Sequence, residues 1–244
     1  MTTRILVTGV KGGSGKSTVA LWLAKEAMKF RKVLILDLDY TRSLSRTIGL
    51  LDVNDLYSGN SQILYWTQGN FSILSLGGMV SPGLLTQFQT VYPGLLDRHD
   101  LVIIDASSPT HELLELEGKI SHGKASLSLV LVTTPHPFTA AKTLEVLNSP
   151  DFFPEADDRK VLVVNMVKDE IPEEVERVKK VVKIPLIKQL ILYGPSPEPP
   201  KDMIVISAIL ELSAWLGLRT NAGDGSMVRQ GGEKLGYGEE RDHT

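Results

Sequence analysis

Residues 11–18 read Lys11-Gly12-Gly13-Ser14-Gly15-Lys16-Ser17-Thr18, and this octapeptide decides how the rest of the chain is read. Just before it lies Ile5-Leu6-Val7-Thr8, a continuous β-type run. After it, Val19, Leu21, Leu23, Ala24, Ala27 and Met28 recur at helical spacing within 16–30. A glycine-rich turn between a strand and a helix lets successive backbone N–H groups point inward as a nest for anionic oxygens. The helix that follows adds the positive end of its dipole. Lys16 supplies a point charge able to reach β- and γ-phosphates, and the Ser17 hydroxyl suits Mg2+. The segment is a candidate cradle for a triphosphate.

The general phosphate-loop pattern places a glycine five residues before the final Gly-Lys. Val10 stands there, so the match is to the variant Lys-Gly-Gly-x-Gly-Lys-Ser/Thr. A dinucleotide loop would need Gly-x-Gly-x-x-Gly, but Thr18 occupies the third glycine position and Lys16-Ser17 would have no use. Further along, Val33-Leu34-Ile35-Leu36 ends in Asp37-Leu38-Asp39, and Leu101-Val102-Ile103-Ile104 ends in Asp105. Ligands of open α/β sheets gather beyond the carboxyl ends of strands. Three carboxylates there suit a bound Mg2+, as direct or water-mediated ligands. The plainer reading is that each caps a helix.

Working outward, apolar runs at 71–76, 127–132, 161–164 and 184–187 alternate with helical patterns near 82–97, 110–120, 138–148, 172–182 and 206–217. The strands lack apolar/polar alternation, which implies burial on both faces. The expected fold class is α/β: a single domain over 1–220 with a mostly parallel sheet and helices on both faces. Residues 193–202 hold four prolines and read as an ordered loop or spacer. Residues 221–244 hold six glycines and few apolar residues and read as a flexible tail. Within 51–70, Tyr57, Tyr65 and Trp66 read as connecting structure and helix core, or as one wall of a second pocket.

Composition narrows the function. The 244 residues carry 26 Lys+Arg against 29 Asp+Glu, a net charge of −3, so no global positive field draws the chain to nucleic acid or anionic lipid. There is no cysteine, which removes disulfides, cysteine nucleophiles and thiolate metal sites. The five histidines form no ligand pair and are expected at the surface or in loops. No signal peptide and no run of 18 apolar residues is visible, so a soluble, cytoplasmic protein is expected.

Lys11–Thr18 resembles the deviant Walker A motif of the MinD/ParA/Mrp ATPases, the SIMIBI branch of P-loop NTPases. Asp37-Leu38-Asp39 is similar to that family's Asp-x-Asp switch, and His99–Asp105 to its Walker B strand. Val132-Thr133-Thr134-Pro135, Val163-Val164-Asn165 and Ile184-Pro185-Leu186 resemble three later motifs in the family's order, so the likeness spans about 4–218. The resemblance implies ATP and Mg2+ as cofactors and an ATP-dependent homodimer with two nucleotides sandwiched between protomers. Lys11 would cross to the other subunit's nucleotide, and Gly12 would let the backbones approach. Lys16 would hold the phosphates, Ser17 would bind Mg2+ with Asp37 and Asp105, Asp39 would orient or deprotonate the attacking water, and Asn165 would read the adenine. Gly13, Ser14, Gly15 and Thr18 complete the nucleotide loop.

Departures from the family shape the expected role. Ala106-Ser107-Ser108-Pro109-Thr110 stands where the family has Gly or Pro-Gly. The absence of cysteine disfavours an Mrp-type iron–sulfur carrier. The tail offers no amphipathic helix of the kind that anchors MinD. A cluster of Arg177, Lys179, Lys180 and Lys183 reads as a solvated helix face rather than a ParA-type DNA surface. The leading expectation is a Mg2+-dependent ATP hydrolase acting as a dimerisation switch with a protein partner in cell division, partitioning or assembly. Two alternatives stand beside it: an ATP-dependent small-molecule ligase or kinase, and a nucleotide-holding scaffold with little hydrolysis.

Overall fold

Strands that are apolar on every residue need cover on both sides, and the molecule supplies it. The computed structural model describes residues 2–39, 41–50, 63–76, 80–109, 112–149, 152–153 and 156–219. Among the described residues there are eight strands: β1 (Thr2–Thr8), β2 (Val33–Asp37), β3 (Leu64–Gln68), β4 (Phe71–Ser75), β5 (Leu101–Asp105), β6 (Ala125–Thr133), β7 (Ala156–Val167) and β8 (Val181–Pro185). They form one sheet in the order β3-β4-β2-β5-β1-β6-β7-β8. Every pairing is parallel except that of β3 with β4.

Residue parity along each strand assigns its side chains to one of two cores. Ile5, Val7, Ile35 and Ile103 enter the core covered by α1 (Lys16–Ala27) and α8 (Met203–Trp215). Leu6, Leu34, Leu36 and Ile104 enter the other, covered by α3 (Pro82–Leu96), α4 (Glu112–Ser121) and α5 (Pro137–Asn148). The single-domain α/β class with helices on both faces is therefore what the chain adopts. Helix α1 is buried along most of its circumference, from Val19 through Ala24, because it lies between the sheet and α8.

Several elements differ from expectation. Tyr65 and Trp66 lie on β3, an antiparallel outer strand, and not in helix core; Tyr57 is outside the described residues. Trp66 packs edge-on to Phe71. The helical pattern at 172–182 resolves into the single turn α6 (Glu173–Glu176) followed by β8, which starts three residues earlier than the apolar run suggests. The short helices α2 (Ser43–Thr47) and α7 (Lys188–Tyr193) carry too few residues to show a period. Residues 194–202 contain no helix or strand, as their prolines imply. The tail at 221–244 falls outside the described residues. Arg177, Lys180 and Lys183 each pair with a glutamate (Glu173, Glu211 and Glu176), so their charges are locally balanced.

His99 is not a surface residue: it is buried between α3 and β5. The Leu95 carbonyl, 2.7 Å from Nδ1, can only accept, so Nδ1–H donates and Nε2 accepts from the Ser72 hydroxyl at 3.0 Å. Burial lowers its pKa, which favours this neutral form. His122 and His136 are exposed.

Arg4 is a second surprise, a charged side chain fully buried in β1. Its guanidinium donates to Glu117 at 2.9 Å, and Glu117 also accepts from the Tyr92 hydroxyl at 2.6 Å and the Ser121 hydroxyl at 2.7 Å. This hub ties β1 to α3 and α4. Removing one partner of a buried pair leaves the other charge uncompensated, so Glu117→Ala should lower unfolding free energy by about 3–5 kcal/mol. The apolar double replacement Arg4→Met/Glu117→Leu should cost much less. Urea denaturation followed by circular dichroism distinguishes the two.

Candidate functional site

Parallel strands place their carboxyl ends along one edge of the sheet, and the candidate residues gather there. The loop 9–15 leaves β1, Asp37 ends β2, Asp105 ends β5 and Asn165 lies near the end of β7. Gly13 and Gly15 sit at φ +74° and +91°, where a side chain would be strained. A Cβ at Gly15 would also lie 2.1 Å from the Asn165 amide nitrogen, so two constraints require glycine. Gly15 caps α1 without a side-chain hydrogen bond, and no acidic residue stands in the first turn. The helix N-terminus thus keeps its N–H groups and its positive dipole end for an anion.

A cleft of about 480 Å3 opens over this loop. Gly12, Gly13, Gly15, Lys16, Ser17, Thr18, Asp39 and Asn165 line it. Lys16 is buried, and its Nζ donates to the Lys11 carbonyl at 3.0 Å. Burial lowers its pKa, and the nearby Asp105 and Asp39 carboxylates oppose that fall. Ser14 is buried with a hydroxyl that has no hydrogen-bond partner. Lys11 behaves differently. It is exposed and lines a separate hollow of about 820 Å3 with Val10, His136, Phe138 and Lys142. A Cβ on Gly12 would meet no atom of the chain within 4 Å.

The three carboxylates are not equivalent. Asp37 is fully buried and accepts from the Ser45 hydroxyl at 2.6 Å, the Ser45 N–H at 3.2 Å, the Ser75 hydroxyl at 3.3 Å and the Asp39 N–H at 3.3 Å. Burial pushes its pKa up to about 6 against those hydrogen bonds. Asp105, its direct neighbour across the β2–β5 ladder, is just as buried but far less well served: neither oxygen has a well-formed hydrogen bond, and only the Ser17 hydroxyl lies close enough to favour its charge. Burial first, and then Asp37, raises its pKa to about 8, which Ser17 and Lys16 offset only in part. Asp39 is half-buried at the cleft wall and accepts from the Thr41 hydroxyl at 2.9 Å, the Thr41 N–H at 3.1 Å and the Ser43 hydroxyl at 3.0 Å. Ser43 also meets the Ser17 hydroxyl at 2.9 Å, which links α1 to the segment after β2.

A buried carboxylate with no well-formed hydrogen bond, beside a lysine and a serine hydroxyl, has the donor chemistry of a hard divalent cation site. Among the described residues no group of three or more His, Cys, Asp and Glu could cage a metal by itself. A cation here would draw most of its oxygens from phosphate and water, as Mg2+ does. Asp37 is occupied by Ser45 and Ser75, so Ser17 and Asp105 are the better placed pair.

Asn165 lines the cleft, but its side chain already braces the loop: Nδ2 donates to the Ser14 carbonyl at 2.9 Å and Oδ1 accepts from Met166 N–H at 2.9 Å. Met166 follows at φ +65°. Sequence reasoning missed Trp22, Thr41, Ser43, Ser45 and Ser107. The hydroxyl-rich run Thr41-Arg42-Ser43-Leu44-Ser45 after Asp39 was the available signal for three of them. Tyr65 and Trp66 do not line the cleft.

Comparison with known proteins agrees with this geometry. No curated protein matches the chain by sequence. Among solved structures, MinD of Pyrococcus horikoshii, complexed with Mg-ADP, is 23% identical over 87% of this chain and 95% of its own, with a TM-score of 0.60. The MinC:MinD complex of Aquifex aeolicus gives 17% identity, 88% and 96% coverage and a TM-score of 0.63. A Cyanothece McdA variant bound to ATP gives 14%, 88%, 96% and 0.60. These likenesses establish a shared fold. Residues 5–196 match the CbiA family, described as the CobQ/CobB/MinD/ParA nucleotide binding domain. With most of its length covered by that match, and with the glycine loop at the carboxyl edge of the sheet, the chain belongs to the CobQ/CobB/MinD/ParA family of P-loop nucleotide-binding domains.

Proposed function

We propose that the chain binds Mg·ATP in the 480 Å3 cleft, hydrolyses it, and uses the bound triphosphate to join two copies of itself. The carrying observation is the uncapped α1 N-terminus and Lys16 lining one cleft, with the buried Asp105 carboxylate beside Lys16 and Ser17 behind its wall. Backbone N–H groups of 12–17 and Lys16 would hold the phosphates and stabilise charge developing on the γ-phosphoryl oxygens. Ser17 and Asp105 would hold Mg2+, which would supply positive charge to offset that of the phosphates when bound. Asp39, fixed by Thr41 and Ser43, would orient the attacking water. Asp37 acts at one remove, by fixing the segment that carries Asp39 and Ser43.

Lys11 supports the dimer. It is exposed and lines the separate hollow instead of its own cleft, as a residue serving a second protomer would. A second reading, slow turnover with a long-lived nucleotide, draws on Asp39: both its oxygens already accept hydrogen bonds, and no glycine donor follows Asp105 within 106–109. A partner protein and a role in positioning, partitioning or assembly are carried over from the family. Among the described residues no helix is long and apolar enough to cross a membrane.

Two predictions test this reading. In size-exclusion chromatography, Mg·ATP should shift the wild-type chain to a dimer. Lys16→Ala should weaken ATP binding by about 10- to 100-fold. Lys11→Ala should bind ATP yet remain a monomer, and Asp39→Ala should dimerise with ATP but hydrolyse it at least about 100-fold more slowly. An elution volume indifferent to ATP in wild type and Asp39→Ala alike refutes the switch.

The second concerns pH without metal. Asp105 is raised to about 8 from a reference of 3.8, so the folded state holds its proton more tightly than the unfolded state. Its contribution is complete below about pH 4 and is lost as pH rises through about 8. Thermal unfolding in chelator should therefore show stability falling toward pH 8. Asp105→Asn should flatten that slope and be more stable than wild type at pH 8, while weakening Mg2+-dependent ATP binding. A slope unchanged by Asp105→Asn counts against the buried carboxylate as its source.

A further inference from the structure

Helix α7 borders the cleft through Ile191, Leu190 and the following Pro195, yet none of its side chains is fully buried. Ile191, Leu192 and Tyr193 are 61, 72 and 84% exposed, and partial core contact comes only through Leu190 and the preceding Ile187. This wall is held from elsewhere. The chain leaves α7 through Gly194 at φ +84° and enters a stretch with Pro195, Pro197, Pro199 and Pro200. Two side chains of α1 grip that stretch. Trp22 Nε1 donates to the Ser196 carbonyl at 3.1 Å, and Lys25 pairs with Glu198 at 2.9 Å. The Ser196 hydroxyl donates to the Glu198 carbonyl at 2.8 Å, which joins the two anchors.

The anchors differ in weight. Glu198 is exposed, so its ion pair contributes little. Trp22 is buried and itself borders the cleft. Prolines on both sides of Ser196 restrict the backbone, so one bond at the centre fixes more of the segment than it could in a flexible loop. The helix whose first turn holds Lys16 thereby also fastens, six residues on, the wall carrying Leu190, Ile191 and Pro195.

We propose that Trp22 is a positioning residue for the nucleoside end of the cleft, holding the proline strap 194–202 against α1 so that base and sugar meet a wall already in place. This rests on the nucleotide reading above. Preorganisation of this kind raises affinity for the part of the ligand that touches the wall and leaves the phosphates unaffected.

The test is calorimetric titration of the full chain with Mg·ATP and, separately, with magnesium inorganic tripolyphosphate. Trp22→Phe keeps an aromatic ring and removes the N–H donor. It should raise the Kd for ATP about fivefold and leave that for tripolyphosphate unchanged. Because Trp22 also belongs to the core, Pro197→Gly/Pro199→Gly provides a second variant that loosens the strap without touching the core or the residues that line the cleft, and it should show the same selective loss. Equal losses for both ligands, or no loss for ATP in either variant, overturn the strap. Wild-type protein that binds neither ligand overturns the nucleotide reading, and the strap with it.

Discussion

Two carboxylates stand side by side on neighbouring strands, Asp37 on β2 and Asp105 on β5, both removed from water. A low-dielectric interior cannot hold two such charges without compensation. The surroundings of the site follow from how each is served. Asp37 takes the hydroxyls of Ser45 and Ser75 and the backbone of Ser45, and so pins the start of α2 against the sheet. Asp105 has no such set of donors, and only Ser17 and Lys16 relieve it in part.

Much of this was legible in the sequence because it rests on backbone rules. A parallel sheet covered on both faces demands uninterrupted apolar strands, and 33–36 and 101–104 announce themselves that way. The carboxyl edge then fixes where Asp37, Asp39 and Asp105 must meet. The strand–glycine–helix order fixed the phosphate loop, because only glycine tolerates φ +91° at residue 15 with Asn165 pressed against it.

What stayed hidden depends on long-range partners. Arg4 reads as the polar start of a strand, and only the fold brings Glu117 to it across 113 residues. His99 reads as a loop histidine until Ser72 arrives from β4. Strand β3 alternates in burial because it is outermost, and its five residues resemble connecting chain. Trp22 sits on a helix that is apolar nearly all round, so its one polar atom gives no sign of the proline segment 174 residues away. The unequal duties of Asp37 and Asp105 likewise could not be read from two similar strand ends.

The Arg4–Glu117–Tyr92 hub has a mechanical consequence. Strand β1 leads into the phosphate loop, and α4 follows the segment after Asp105, so the hub rivets the two on the side away from the cleft mouth. Separating the ions would cost several kcal/mol. Helix α4 therefore cannot pivot as a free lever when the cleft changes its contents.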